Sequence, residues 1–292
     1  MGGDKKIPLK FKVYSILYPF KIFIKSLINK FKGGKKMGNF NLEGKKAIVF
    51  GVANDQSIAW HIAKKLNDNG VRIALGYQER AEQLVKPLLS MLNNPLVIKC
   101  DVVDDVLLTE FFEKVKREFG QVDFLIHSIA FAKKEHLQGK FYDVTRRGYQ
   151  VANEVSSYSL AELSRRALPI MNENGSIIAM TFDGSLRVYP NYNIMGVAKA
   201  ALESSVRYLA SDVGEKGIRV NAISAGPIKT LAASGITDFD TMLQHAQQKA
   251  PLKRNIDADD VANLALFLCS DMSKNITGQV IYVDAGYSIM GI

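Results

Sequence analysis

Cysteine is almost missing: Cys100 and Cys269 are the only two in 292 residues. With no Cys/His cluster at metal-ligand spacing, neither a disulfide framework nor a zinc site is readable, and no metal is expected. A reducing, cytoplasmic compartment fits that usage. No apolar run reaches the roughly 18 residues needed to span a bilayer, which excludes a transmembrane reading. Surplus charge is missing too, once it is apportioned. The formal net charge is +9, but residues 1–36 hold ten lysines and one aspartate, so 37–292 balance 28 basic against 28 acidic residues. A nucleic-acid partner therefore has no support in the body of the chain. Apolar residues, in contrast, make up 47% of the sequence. That is enough for a large core, and it excludes intrinsic disorder as a description of the whole.

The charge divides the chain into an N-terminal extension, 1–36, and a single domain, 37–292. In the extension, Phe20, Phe23, Ile24, Leu27, Ile28 and Phe31 recur at helical spacing, with Lys21, Lys25, Lys30 and Lys32 between them. A basic amphipathic helix of this kind can lie on an anionic membrane, each nearby Lys adding about 1 kcal/mol of attraction. Residues 5–36 would then place the protein at the periphery of an inner membrane. Two other readings stay open: an upstream artefact or disordered tail ahead of a true start at Met37, and a targeting peptide, although Ser is scarce and Arg absent. Lys6 stands where a myristoylation motif wants Ser or Thr.

From Lys45 onward, KAIVFG, VRIALGY, PLVIKCD, VDFLIHS, GSIIAMT, IRVNAIS and QVIYVD alternate with stretches of helical periodicity. Seven strands separated by crossovers predict an α/β, Rossmann-type doubly wound fold: a seven-stranded parallel sheet with helices on both faces. Ligands gather at the carboxyl ends of such strands, so the informative residues are those just past each run.

The first run is followed by Gly51 and, six residues on, Ser57-Ile58-Ala59 opening a helix. The full glycine fingerprint is missing, but Gly51 can make the tight turn and Ser57 can offer a hydroxyl and backbone N–H groups to a pyrophosphate. An ordinary capped helix start reads the same way. After the second run, Gln78 can bond ribose hydroxyls, Glu79 would repel a 2′-phosphate and Arg80 would attract one; together they favour NADH over NADPH. After the third run, Asp101 is available to an adenine edge or, equally, as a helix N-cap.

The most specific stretch is Tyr189-Pro-Asn-Tyr192-Asn-Ile-Met195-Gly196-Val-Ala-Lys199, a Pro-marked loop entering a long helix. Seven residues at about 100° each bring Tyr192 and Lys199 to within about 20° of one face, about 10.5 Å apart along the axis. A cation on that wall can bond a ribose and favour hydrogen donation by a neighbouring phenol.

Four blocks in order, GVAxxxSIA at 51–59, HSIAFA at 127–132, YPNYNIMGVAK ending at Lys199 and RVNAISAGPIKTLAASGI at 219–236, make the body resemble the short-chain dehydrogenase/reductase superfamily. More closely, it is similar to the bacterial NADH-dependent enoyl-acyl-carrier-protein reductases. The resemblance covers about residues 38–292. It implies reduction of the trans-2 double bond of enoyl thioesters on an acyl carrier protein, with hydride from NADH, in type II fatty acid synthesis, by a homotetramer. It implies cofactor contacts from Gly51, Ser57, Ile58, Gln78, Asp101, Val102 and Ile129, from Lys199 to the ribose, and from Ile228, Lys229, Thr230, Leu231 and Ala232 to the pyrophosphate and nicotinamide end. Tyr192 would bond the enolate oxygen, and Ala132 would face the acyl chain. Phe182, Met195, Phe239 and Met242 complete the expected substrate wall.

Ordinary carbonyl reductases of the superfamily carry Tyr-x3-Lys, but four residues before Lys199 this chain has Met195. Only Tyr192-x6-Lys199 is available. The three extra residues move the hydroxyl about 4.5 Å along the helix, which suits hydride addition two bonds from the carbonyl carbon. A carbonyl or alcohol oxidoreductase is the competing reading; a nucleotide-binding, membrane-surface protein without turnover is another. Phe182 stands where the family often has a second Tyr, and serves equally as substrate wall or core. Asp183-Gly-Ser-Leu-Arg187 departs from the family's Gly-rich run. Residues 230–245 read as a lid, with a packed helix an equal reading for the second half. Lys229, Lys253 and Arg254 are candidates for docking an acidic carrier protein. Ala200, Ala201, Leu202, Val206 and Leu209 form the expected subunit face. His127 reads as structural, His136 and His245 as surface residues.

Overall fold

A computed structural model of the protein describes residues 40–231, 233 and 237–291. The extension at 1–36 and its membrane helix lie outside the described residues. Seven strands form: β1 (Lys46–Phe50), β2 (Arg72–Tyr77), β3 (Leu96–Lys99), β4 (Val122–His127), β5 (Met171–Thr181), β6 (Arg219–Ala225) and β7 (Val280–Val283). All pairings are parallel, in the order β3-β2-β1-β4-β5-β6-β7. Chain direction across the sheet reverses between β1 and β4, and that switch opens a crevice past their carboxyl ends.

Alternation along the strands assigns the two faces. Ala47, Val49, Ile73, Leu75, Phe124, Ile126, Ile178 and Ile223 pack beneath α1 (Ile58–Asp68) and the C-terminal helix Ala258–Cys269. Their neighbours Ile48, Phe50, Ala74, Leu125, Ile177, Ala179, Val220 and Ala222 pack beneath α2 (Asp105–Phe119) on the other face. Helix α3 (Arg146–Asn153) instead packs its Ala152 into a smaller cluster with Tyr192, Ile194 and Met195, whereas α4 (Ser159–Ala167) and α5 (Asn193–Val213) join the core on that second face. A period of two with both phases apolar is what a sheet covered on both sides requires. The β2–β3 crossover is the exception to helical connection: Pro87 breaks its periodicity, leaving 3₁₀ turns around the single helical turn Glu82–Val85.

Two local expectations are corrected. Asp101 is not the cap of α2; Asp104 is, accepting from the N–H groups of Val106 (2.9 Å) and Leu107 (3.0 Å). Leu202 and Val206 are fully buried in the chain's own core, so of the expected subunit face only flanking positions such as Ala200 remain for contact. Among the described residues, no helix is long and apolar enough to cross a membrane.

Gly51 sets how close β1 and β4 come at the crevice. Its φ is +110°, and a Cβ there would lie 2.0 Å from the Ser128 carbonyl oxygen. We expect Gly51→Ala to cost at least about 2 kcal/mol, read as a lower denaturation midpoint at unchanged m-value.

Candidate active site

A cavity of about 690 Å³ occupies the crevice. Gly51, Ser57, Ile58, Gln78, Val102, Ile129, Ile228, Thr230 and Leu231 line it on the side expected for the dinucleotide; Ala132, Phe182, Tyr192, Met195, Phe239 and Met242 line it on the substrate side, with Lys199. Asp101 lies one layer out, holding the Gln78 amide by a 3.1 Å bond from its Nε2. Ala232 lies outside the described residues. Lys229 departs from expectation: its exposed ammonium pairs with Asp240 (3.2 Å) and is not part of the wall.

Ser57 lines the cavity, and its hydroxyl is bonded within the loop that precedes α1. The Oγ accepts from the N–H groups of Ala53 and Asn54, both at 3.0 Å, and donates to Asn54 Oδ1 at 3.1 Å. It therefore shapes the loop, and the start of α1 also offers the N–H groups of Ile58 and Ala59, which have no acceptor among the described residues. Glu79 is likewise diverted, pairing with Lys99 (3.0 Å) away from the cavity, while Arg80 lines the wall with its guanidinium 5.7 Å from the Phe131 ring centroid. At this strand end a cation, and not a carboxylate, lines the wall.

Tyr192 occupies the N-cap position of α5 and Lys199 its second turn; they are 8% and 5% exposed. Lys199 Nζ donates to the Met180 carbonyl oxygen at 2.7 Å, leaving two of its protons without an acceptor among the described residues. Burial pushes its pKa down to about 8, partly opposed by the nearby Glu203 carboxylate. Glu203 itself is buried and accepts from Thr181 Oγ1 at 2.7 Å. The Tyr192 hydroxyl has no hydrogen-bond partner among the described residues, and burial, reinforced by Glu203, pushes its pKa above the ordinary phenol value. It is a protonated donor in search of an acceptor. Phe182 serves both of its readings, lining the cavity and packing edge-on against Tyr192 at 5.0 Å between centroids.

Met195, 5% exposed, fills the place of the tyrosine of ordinary carbonyl reductases, and its Sδ accepts from Ser156 Oγ at 3.7 Å. Ser156 belongs to a π-helical turn, Glu154–Tyr158, between α3 and α4, and its hydroxyl also accepts from Phe131 N–H at 2.9 Å. Nothing in the residue pattern marks that turn, nor Leu137 and Val155, which also line the cavity. His127 is buried and neutral: its Nε2 lies 2.8 Å from Ser159 Oγ, while burial and the Lys199 charge push its pKa down to about 3. His136 is not the surface residue expected; it is buried against Gly148, with Nε2 3.3 Å from Thr145 Oγ1. The second half of the expected lid is helix α6 (Phe239–Lys249), which buries only Ala246 and turns Phe239 and Met242 to the cavity.

A family profile described as enoyl-(acyl carrier protein) reductase matches residues 51–288. The enoyl-[acyl-carrier-protein] reductase [NADH] of Rickettsia typhi is 48% identical over 251 residues, covering 86% of this chain and 96% of that protein. The Synechocystis enzyme of the same description is 48% identical over 256 residues, covering 86% and 99%. Among solved structures, the Bacillus cereus enoyl-acyl carrier protein reductase with NADP+ and an indole naphthyridinone superposes with a TM-score of 0.84 at 46% identity, over 86% of this chain and 99% of that one. The Aquifex aeolicus enoyl-[acyl-carrier-protein] reductase (NADH) gives 0.84 at 44%, over 87% and 100%.

Proposed function

The chain belongs to the enoyl-(acyl-carrier-protein) reductase family, and from that membership we propose the roles its own residues take in the reaction. The protein is an NADH-dependent enoyl-acyl-carrier-protein reductase of fatty acid synthesis. The residues present fit a dinucleotide: a glycine sits where any Cβ would strike Ser128, and a buried ammonium on the cavity wall keeps two protons without acceptors among the described residues. Ile58 and Ala59 N–H groups would hold the pyrophosphate, with Thr230 and Leu231 beside it. Gln78, steadied by Asp101, would take the adenosine ribose, Val102 and Ile129 would flank the adenine, and Lys199 would take the nicotinamide ribose.

Hydride for the β-carbon of a trans-2-enoyl thioester is the chemistry that a reduced nicotinamide held there would supply. Tyr192 donates its hydrogen bond to the thioester oxygen, where negative charge develops, and a donor already in place for that charge lowers the barrier by a few kcal/mol. Phe182, Met195, Phe239, Met242 and Ala132 present an apolar wall to the acyl chain and exclude water from it. The observation that carries this reading is the pairing on one cavity wall of a buried, partnerless phenol and a buried ammonium, with methionine where a ketone-reducing tyrosine would stand. The test follows NADH absorbance with crotonyl and with ketoacyl thioesters. Oxidation with the crotonyl compound is expected, and oxidation with the ketoacyl compound alone overturns the assignment.

Carrier-protein docking is assigned to Lys229, Lys253 and Arg254, all exposed, and is tested by a rise in KM for acyl-carrier substrate, but not for crotonyl-CoA, when they are changed to Glu. A homotetramer in the cytoplasm is the proposed working form. The exposed aromatics Tyr142, Tyr149, Tyr158 and Tyr208 support it, and sedimentation of the purified chain tests it.

A further inference from the structure

A carboxylate is costly to bury, yet Asp183, 6% exposed, sits two residues past the end of β5 with no part in the cavity wall. Its side chain is held from three directions. Oδ2 accepts from Tyr189 Oη at 2.9 Å and from Arg187 Nη1 at 3.2 Å, and Oδ1 faces Tyr282 Oη, on β7, at 3.5 Å. Its carbonyl oxygen also accepts from the N–H groups of Leu186 and Arg187. This anchorage fixes a 3₁₀ turn, Asp183–Ser185, between the end of the sheet and the loop that enters α5.

Both neighbours of Asp183 touch the Tyr192 ring. Phe182 packs against it edge-on and against Tyr189 at 4.8 Å between centroids, so the ring of the hydroxyl that bonds Asp183 supports the ring that supports Tyr192. Gly184 lies so close that a Cβ there would be 2.6 Å from Tyr192 Cδ1, and a Cβ on Gly196, in the first turn of α5, would be 2.6 Å from the Gly184 carbonyl oxygen. The turn is a wedge between the phenol and its own helix.

We propose that Asp183 is a positioning residue for the reductase reaction, acting with Tyr189 to set the wedge at 182–184 and through it the orientation of the Tyr192 ring. It rests on the assignment of Tyr192 as the donor to the thioester oxygen. Neither Asp183 nor Tyr189 touches substrate; their effect is on where the donor points, and small misplacements of a donor are expensive in rate.

Two variants test it without emptying the core. Asp183→Asn keeps shape and an acceptor but loses the charge that holds Arg187, and Tyr189→Phe removes one hydroxyl and keeps the ring. Each is expected to lower kcat for crotonyl-thioester reduction about ten-fold, with KM for NADH within about two-fold of the parent. The double variant is expected to be no worse than the poorer single one, because the two groups act as a unit. Unchanged kcat in either variant, additive losses, or loss of NADH affinity in step with kcat would overturn the proposal. Tyr192→Phe assayed alongside separates the two claims. Full turnover by that variant removes the donor assignment itself, whereas its inactivity beside normal turnover of the outer variants removes only the role of Asp183.

Discussion

Tyr192→Phe is expected to lower kcat for enoyl-thioester reduction by about 10²-fold while leaving NADH affinity in place. The hydroxyl is the one polar atom of a ring otherwise held by Phe182 and Gly184, so its removal leaves the ring where it was. Because its pKa is pushed upward, it is protonated throughout the working pH range and keeps the proton it donates. A donor aimed at developing charge is worth more in the transition state than toward the neutral thioester, so the loss belongs in kcat and not in KM. Stability should move the other way. A buried hydroxyl without a protein partner is a desolvation cost in the unliganded protein, and replacing it is expected to add up to about 1 kcal/mol. Stopped-flow turnover, NADH titration by fluorescence and thermal melts check the three parts. A variant that turns over normally would leave the cavity without its assigned donor.

The strands were legible because both phases of their alternation are apolar, as Ala47 and Val49 against Ile48 and Phe50 illustrate. The ends of the strands were legible for the same reason: Gly51 and Gln78 follow directly from where the apolar runs stop, and both line the cavity, whereas Ile129 came only from the family resemblance. What spacing could not supply was the partner of each polar group. Ser57 and Glu79 stand at ligand-facing positions, but the Ser57 hydroxyl is bonded to Asn54 and Glu79 pairs with Lys99, and one of those partners comes from a different strand. Periodicity on α5 likewise identified Leu202 and Val206 as apolar without saying which surface they meet, and the chain's own core claims both. Asp183 was visible only as a departure from a familiar run. Its role depends on Tyr189 and on Tyr282, which is 99 residues away in sequence, and no local pattern carries such a contact.

Lys199→Met is expected to cost turnover at least as much as loss of the phenol, about 10²-fold or more at pH 7, and to erase a pH limb that the parent shows. Burial disfavours the charged form of the amine, so its pKa falls to about 8. The ammonium is therefore present below about pH 8 and lost as pH rises through that value. If the ammonium is the form that holds the ribose and favours donation by Tyr192, kcat/KM for NADH declines above about pH 8 in the parent and is flat there in the variant. Stability carries the same signature with the opposite sign. The unfolded chain keeps the ordinary, higher lysine pKa, so between about pH 8 and that value the unfolded state binds more protons, and the unliganded parent gains stability as pH rises. Below pH 8 the full burial cost remains, on the order of 3 kcal/mol. Lys199→Met removes that cost, although Glu203 then loses the neighbouring cation that offsets its own burial. Melting temperatures of both proteins at pH 7 and pH 9.5 therefore should converge as the parent sheds its proton. Parallel melting curves combined with an unaltered alkaline limb in the variant would mean that the amine is not what titrates. An activity that depends on a group the fold would be more stable without is the physical mark of a site kept for its chemistry.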